Sequence, residues 1–232
     1  MITLRRSNER GHANHGWLDS YFTFSFANYY DPRHTGFRSL RVLNEDRVDP
    51  GAGFPTHPHN DMEILTYVIE GSLEHRDSMG NGSVVRAGEF QRMTAGTGVS
   101  HSEFNPSKTE PLHLLQIWIL PAEMGLTPGY EQKEFPRNDR LNALRVVASP
   151  SGRDASLILH QDAEVLTAVL EAGKSVEHRL DKGRHGWVQV ISGSVEINGQ
   201  PSQGGDGISL SREERIVVKA NEEADVLLFD LA

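Results

Sequence analysis

Ile69-Glu70-Gly71-Ser72-Leu73-Glu74 returns as Ile191-Ser192-Gly193-Ser194-Val195-Glu196, and this echo decides the fold class. In both copies a glycine, which reaches positive φ at low steric cost, separates two runs of apolar and β-forming residues. The same displacement of 122 residues carries Gly51 onto Gly173. The chain therefore reads as two copies of one β-module, linked through the Pro-, Gly- and charge-rich segment near Pro121 to Asn142. Runs of strand length lie on both sides of the linker: Ser39 to Leu43, Glu63 to Glu70, His113 to Leu120, Leu157 to His160, Val188 to Ile191 and Val226 to Leu231. Turn signals such as Gly51-Ala52-Gly53, Gly96-Thr97-Gly98 and Asn198-Gly199 separate them, which points to an all-β sandwich or barrel. Asp162 to Ala172 fits a helix or a strand by pattern alone.

At 232 residues and 37% hydrophobic content, the chain can bury one large core or two smaller ones. Its 23 Lys and Arg against 32 Asp and Glu leave a net charge of −9, which disfavours direct binding to a nucleic-acid backbone. The first residues carry charge and no apolar core of a secretory leader. The longest apolar stretch, Leu114 to Leu120, is broken by Gln116 and falls well short of the roughly 20 residues a membrane helix needs. With no cysteine there are no disulfides or thiolate ligands, and the expected setting is the cytoplasm.

Chemistry concentrates in Phe54-Pro55-Thr56-His57-Pro58-His59-Asn60-Asp61 and Gly96-Thr97-Gly98-Val99-Ser100-His101-Ser102-Glu103-Phe104-Asn105. His57 and His59, like His101 and Glu103, are spaced i, i+2. Alternate strand residues share a face, with Cα atoms roughly 6.6 Å apart. Two such strands can aim three imidazoles and one carboxylate at one point, a set that suits a first-row divalent metal with open coordination positions. The displacement of 122 takes His57 to Arg179 and His59 to Asp181, so the second module lacks the first half of this set.

Gly51, His57-x-His59, a nearby glutamate and Gly71 resemble the first cupin motif, and Gly96-Thr97-Gly98 with His101 and Asn105 resembles the second. The usual glutamate position of the first motif falls on Ile64, one residue from Glu63, and a one-residue shift turns a strand side chain to the opposite face. Glu103, in phase with His101, is the carboxylate of choice.

Together with Gly11-His-Ala-Asn-His-Gly-Trp-Leu-Asp19 and Thr23-Phe-Ser-Phe-Ala-Asn-Tyr-Tyr-Asp-Pro32, these motifs resemble the pirin family of bicupins, over the whole chain and most strongly over residues 8 to 120. The bacterial members called quercetinases are especially similar. The resemblance implies two stacked cupin barrels (double-stranded β-helix, or jelly roll): a metal-binding N-terminal cupin over 1–130 and a C-terminal cupin over 131–232 without metal ligands. It implies that His57, His59, His101 and Glu103 hold one divalent metal, with Fe(II) favoured and Cu, Ni, Mn, Co or Zn as alternatives.

The implied reaction is cleavage of a flavonol such as quercetin by O2 with release of CO. Adjacent hydroxyl and carbonyl oxygens of the substrate would meet the metal, and Glu103 would be the catalytic group that accepts the hydroxyl proton. The alternative, from a different class, is a metal- or redox-sensing bicupin that regulates a protein partner; neither reading involves a membrane or direct contact with nucleic acid. Elsewhere the simpler readings hold. His12 and His15 belong to a loop, His75 and His113 pack or hydrogen-bond locally, and the aromatic residues between Trp17 and Tyr30 are strand-buried, some at a pocket entrance. Glu213, Glu214, Glu222 and Glu223 read as a solvated edge.

Overall fold

Glu63–Glu70 shows how the sequence builds the N-terminal barrel. Ile64, Thr66 and Val68 alternate onto one face, and the strand pairs antiparallel with Leu112–Ile119 on one side and Glu89–Thr94 on the other. The computed structural model describes residues 1–232 and divides them by internal contacts into Gly11–Glu134 and a second unit of Met1–Arg10 with Phe135–Ala232.

In the first unit a seven-stranded sheet runs Gly129–Glu134, Glu89–Thr94, Glu63–Glu70, Leu112–Ile119, Leu40–Val48, Leu18–Phe22 and Gly11–Asn14. A four-stranded sheet runs Gly53–His59, Val99–Phe104, Ser72–Asp77 and Gly82–Arg86. Leu73 and Val85 from the smaller sheet pack with Val68, Leu112 and Leu114 from the larger, closing a jelly roll.

The second unit repeats this plan with a seven-stranded and a four-stranded sheet. Glu63–Glu70 recurs as His185–Ser192 and Gly53–His59 as Ser175–Arg179, in keeping with the displacement of 122. Asp162 to Ala172 resolves as the strand Ala163–Leu170, in the interior of its sheet.

Two features depart from a single cut near residue 130. Ile2–Arg5 pairs with Gly207–Ser211, so the first ten residues belong with the second unit. Within the linking segment, Gly129–Glu134 pairs with Glu89–Thr94 and extends the first unit to Glu134. This edge strand gave no apolar alternation because its tyrosine and glutamine, Tyr130 and Gln132, make hydrogen bonds to other polar side chains.

The interiors of the two units differ. The first is split: Leu18, Val48, Val68, Leu73, Val85, Leu112 and Leu114 form one cluster, and Ile64, Met93, Ala95 and Val99 form another. Between them the register aligns Asn44, Gln116, Thr66, Gln91 and Gln132 side by side across five strands. In the second unit the matching positions are Leu166, Leu228, Val188 and Ile208, which are paired in the same order. All four lie in one continuous apolar core. The fold therefore does not require a polar row, and the N-terminal barrel carries one at an energetic cost. No helix is long and apolar enough to cross a membrane.

Candidate metal centre

His57 and His59 lie on Gly53–His59, and His101 and Glu103 on the adjacent Val99–Phe104. His101 stands opposite His57, while Glu103 stands opposite Phe54, so Pro55 and Thr56 together face Ser102 in a bulge of the first strand. Against its other neighbour, Ser72–Asp77, the second strand keeps regular register, and His101 and Glu103 are both buried on one face. Gly53 is where the two strands meet most tightly, since an added Cβ would fall 2.3 Å from the Glu103 carbonyl oxygen.

The three imidazoles converge. Their ligand atoms all lie within 4.8 Å of one another, and Nε2 of His101 is 3.1 Å from Nε2 of His57. Two nitrogens bound cis to a metal at about 2.1 Å stand roughly 3.0 Å apart, so this approach fits a shared cation. Glu103 shares the same close spacing with His101 and His75 rather than with His57 and His59. The polar row holds it there: Gln91 Nε2 donates to Oε1 at 2.7 Å and Gln116 Nε2 to Oε2 at 2.9 Å.

Hydrogen bonds also fix which nitrogens are free. His57 Nδ1 donates to the Pro55 carbonyl at 2.8 Å, leaving its Nε2 as a lone pair. Asp77 accepts from His75 Nε2 at 3.1 Å, so His75 Nδ1 is the acceptor facing His101 Nδ1 at 3.5 Å, and His101 Nε2 is left bare toward His57. Asn81 Nδ2 and the backbone N–H groups of Met79 and Asn81 anchor Asp77.

Burial, and then the neighbouring His57, push His59 down to about 4. Burial and the surrounding histidines push His101 down to about 3. Both rings are neutral donors near pH 7. Burial pushes the Glu103 carboxyl up to about 7 against the hydrogen bonds from Gln91 and Gln116, and a cation among the imidazoles would favour its ionised form.

A cavity of about 230 Å3 opens onto these groups. Its apolar walls come from Leu18, Phe22, Phe26, Phe54, Ile64 and Trp118. Trp118 stands edge-on to both His59 and Phe26. Ile64 lines the cavity and the buried Glu63 does not, the parity read from Gly71.

His15 does lie in a loop, and that loop brings it to the cavity wall, a site position its sequence reading ranked second. His12 is a correction, since it lies on the strand Gly11–Asn14 and not in a loop, where it hydrogen-bonds Asp19 at 2.6 Å; His113 hydrogen-bonds Glu45 at 3.0 Å, as its local reading requires. His75 does hydrogen-bond locally, but its sequence reading missed its position behind His101; the signal was the His75-x-Asp77 spacing, the same i, i+2 interval as the ligand pairs. The aromatic run is strand only to Phe22, after which Ala27 and Arg38 at positive φ take the chain through irregular turns. Glu213, Glu214, Glu222 and Glu223 sit in turns flanking Arg215–Ala220. Glu213 binds the N-terminal ammonium, and Glu223 binds Arg137.

Replacing Asp77 by asparagine should leave the fold intact but lower metal affinity about 10- to 100-fold, because the ring orientation of His75 and His101 loses its anchor. Metal titration with a competing chelator measures this.

Fold and site together define a two-cupin protein whose N-terminal barrel carries an imidazole-rich cavity. Residues 3–119 match the model of the Pirin family, and residues 146–231 match that of the quercetinase C-terminal cupin domain. The chain belongs to the pirin family.

It is 55% identical over 231 residues to the quercetin 2,3-dioxygenase of Escherichia coli, covering 100% of this chain and 99% of that protein. The crystal structure of YhhW from Escherichia coli superposes with a TM-score of 0.97 at 54% identity, covering 100% of this chain and 98% of that one. A second structure, bacterial pirin YhhW from Escherichia coli in complex with nickel(II), gives a TM-score of 0.96 at 54% identity over 100% and 99% of the two chains.

Proposed function

We propose that this protein is a metal-dependent dioxygenase that cleaves the flavonol quercetin with O2 and releases CO. The observation that carries the reading is the convergence of three imidazoles, beside a buried carboxylate, on a cavity with aromatic walls. The similarity to quercetin 2,3-dioxygenase over the full chain supports the same reaction.

His57, His59, His101 and Glu103 are the proposed ligands of one divalent cation, with Fe(II) the favoured occupant; that the related YhhW forms a complex with nickel(II) supports a divalent metal. When bound, the metal supplies Lewis acidity toward the flavonol oxygens and an electronic route to dioxygen. Phe22, Phe26, Phe54 and Trp118 offer flat apolar surfaces to the rings and exclude water from the cavity. Glu103 accepts the proton of the flavonol 3-hydroxyl, with Gln91 and Gln116 holding the carboxylate in place. In the net reaction both atoms of O2 enter the product, two ring carbon–carbon bonds break, and the carbon between them leaves as CO.

Oxygen uptake by protein reconstituted in turn with Fe(II), Mn(II), Ni(II) and Cu(II), against a panel of flavonols and other enolisable compounds, tests this reading. Consumption of quercetin that depends on the metal is expected. Turnover that is unchanged in metal-free protein would refute it.

A further inference from the structure

The polar lining of the cavity continues from Gln116 onto the next strand of the seven-stranded sheet. Asn44 and Asp46 are alternate residues of Leu40–Val48 and share its inward face. Both line the cavity, at 3% and 4% exposure. Asn44 Oδ1 is buried with no hydrogen-bond partner, an uncommon state for an amide oxygen. The Asp46 carboxylate accepts a hydrogen bond from Ser20 Oγ, its partner across the neighbouring strand pair. Burial pushes the Asp46 carboxyl up to about 7 despite that bond.

The fold does not demand either polar residue. At the matching positions of the second unit stand Leu166 and Ala168, both buried in its apolar core. Two acceptors kept at an energetic cost, one of them unpaired, in a cavity that also offers the rings of Phe22, Phe26, Phe54 and Trp118, call for a flat ligand that brings hydrogen-bond donors. Phenolic hydroxyl groups are such donors.

We infer that Asn44 and Asp46, beside the Gln116 that holds Glu103, bind phenolic hydroxyl groups of the substrate and set a preference for polyhydroxylated over bare flavonols. This rests on the proposed flavonol reading of the cavity. A buried site built to hydrogen-bond a substrate hydroxyl discriminates strongly against the analogue that lacks it, because its own polar groups are then left unpaired.

The test is equilibrium binding without oxygen, using nickel-loaded full-length protein, quercetin, and 3-hydroxyflavone with no other hydroxyl. The wild type should bind quercetin at least about tenfold more tightly. In Asn44→Leu and in Asp46→Ala the ratio of the two dissociation constants should fall toward one, with metal content and melting temperature reporting that the barrel is intact. A variant-free arm uses quercetin methylated on its ring hydroxyls, which should bind the wild type as weakly as 3-hydroxyflavone.

Equal affinity of the wild type for both flavonols, binding of neither, or a ratio unaltered in both variants overturns the inference. Discrimination that is present in binding while aerobic protein consumes no flavonol upholds the hydroxyl-binding site and refutes the dioxygenase reading.

Discussion

Replacing His101 by glutamine should reduce metal content from one ion per chain to a trace and lower flavonol turnover more than about a hundredfold. That floor is what the loss of a mere supporting partner typically costs. His101 has this weight because of its position. Its Nε2 lies 3.1 Å from that of His57, its ring centroid is 4.9 Å from that of His59, and its Nδ1 faces His75. It is also common to both close groupings of ligand atoms in the barrel. Without it, His57 and His59 remain as an isolated pair on the cavity wall and Glu103 has no imidazole bridging it to them. Glutamine keeps most of the volume of this buried side chain, so unfolding should shift little, whereas alanine would leave a cavity costing about 2 kcal/mol. A fall in metal content at constant melting temperature is the expected pattern.

The second large effect has the opposite sign for stability. Thr66, Gln91, Gln116 and Glu103 form a hydrogen-bonded group in the middle of the N-terminal barrel. Their register counterparts in the other unit are Val188, Ile208, Leu228 and Val218, all within its continuous core. Transplanting that solution as Thr66→Val, Gln91→Ile, Glu103→Val and Gln116→Leu should abolish activity. It should also raise stability by about 2 kcal/mol, since a buried polar network is often no better than a well-packed apolar one. A rise of roughly 5 °C in melting temperature corresponds to this. Tyr130 loses its bond to Gln91 but retains Ser83 and Gln132. Gln91→Ile alone should destabilise, because it strips one hydrogen bond from a carboxylate that stays buried. Thermal denaturation of both variants separates a row kept for function from one needed for folding.

The sequence carried the parts of this architecture that depend on local periodicity. The i, i+2 spacing of His57 with His59 and of His101 with Glu103 fixes a shared face for each pair. The displacement between Gly71 and Gly193 exposed the duplicated module because tight turns need glycine at both places, at φ of 77° and 79°. Features that depend on pairing between distant strands were not legible. Asn44, Gln116, Thr66 and Gln91 each interrupt a different strand, and only the sheet register sets them in one row. For the same reason His75 read as a local side chain, since its place behind His101 follows from Ser72–Asp77 pairing with Val99–Phe104. His15 reaches the cavity from a loop, where no periodicity announces direction. The strand Gly129–Glu134 was hidden because its tyrosine and glutamine hydrogen-bond to polar partners instead of packing as an apolar face.

If the N-terminal barrel uses a bound divalent metal to open a flavonol with dioxygen, carbon monoxide, dioxygen and substrate must be linked in fixed proportion. The most direct measurement follows quercetin, O2 and CO together, with 18O2, in Fe(II)-reconstituted protein and in the same protein stripped of metal. One CO should be released for each quercetin and each O2 consumed, with two labelled oxygen atoms in the ring-opened product, and the reaction should be lost on metal removal. Quercetin loss without CO, a product carrying fewer than two labelled atoms, or an undiminished rate in metal-free protein would contradict this mechanism.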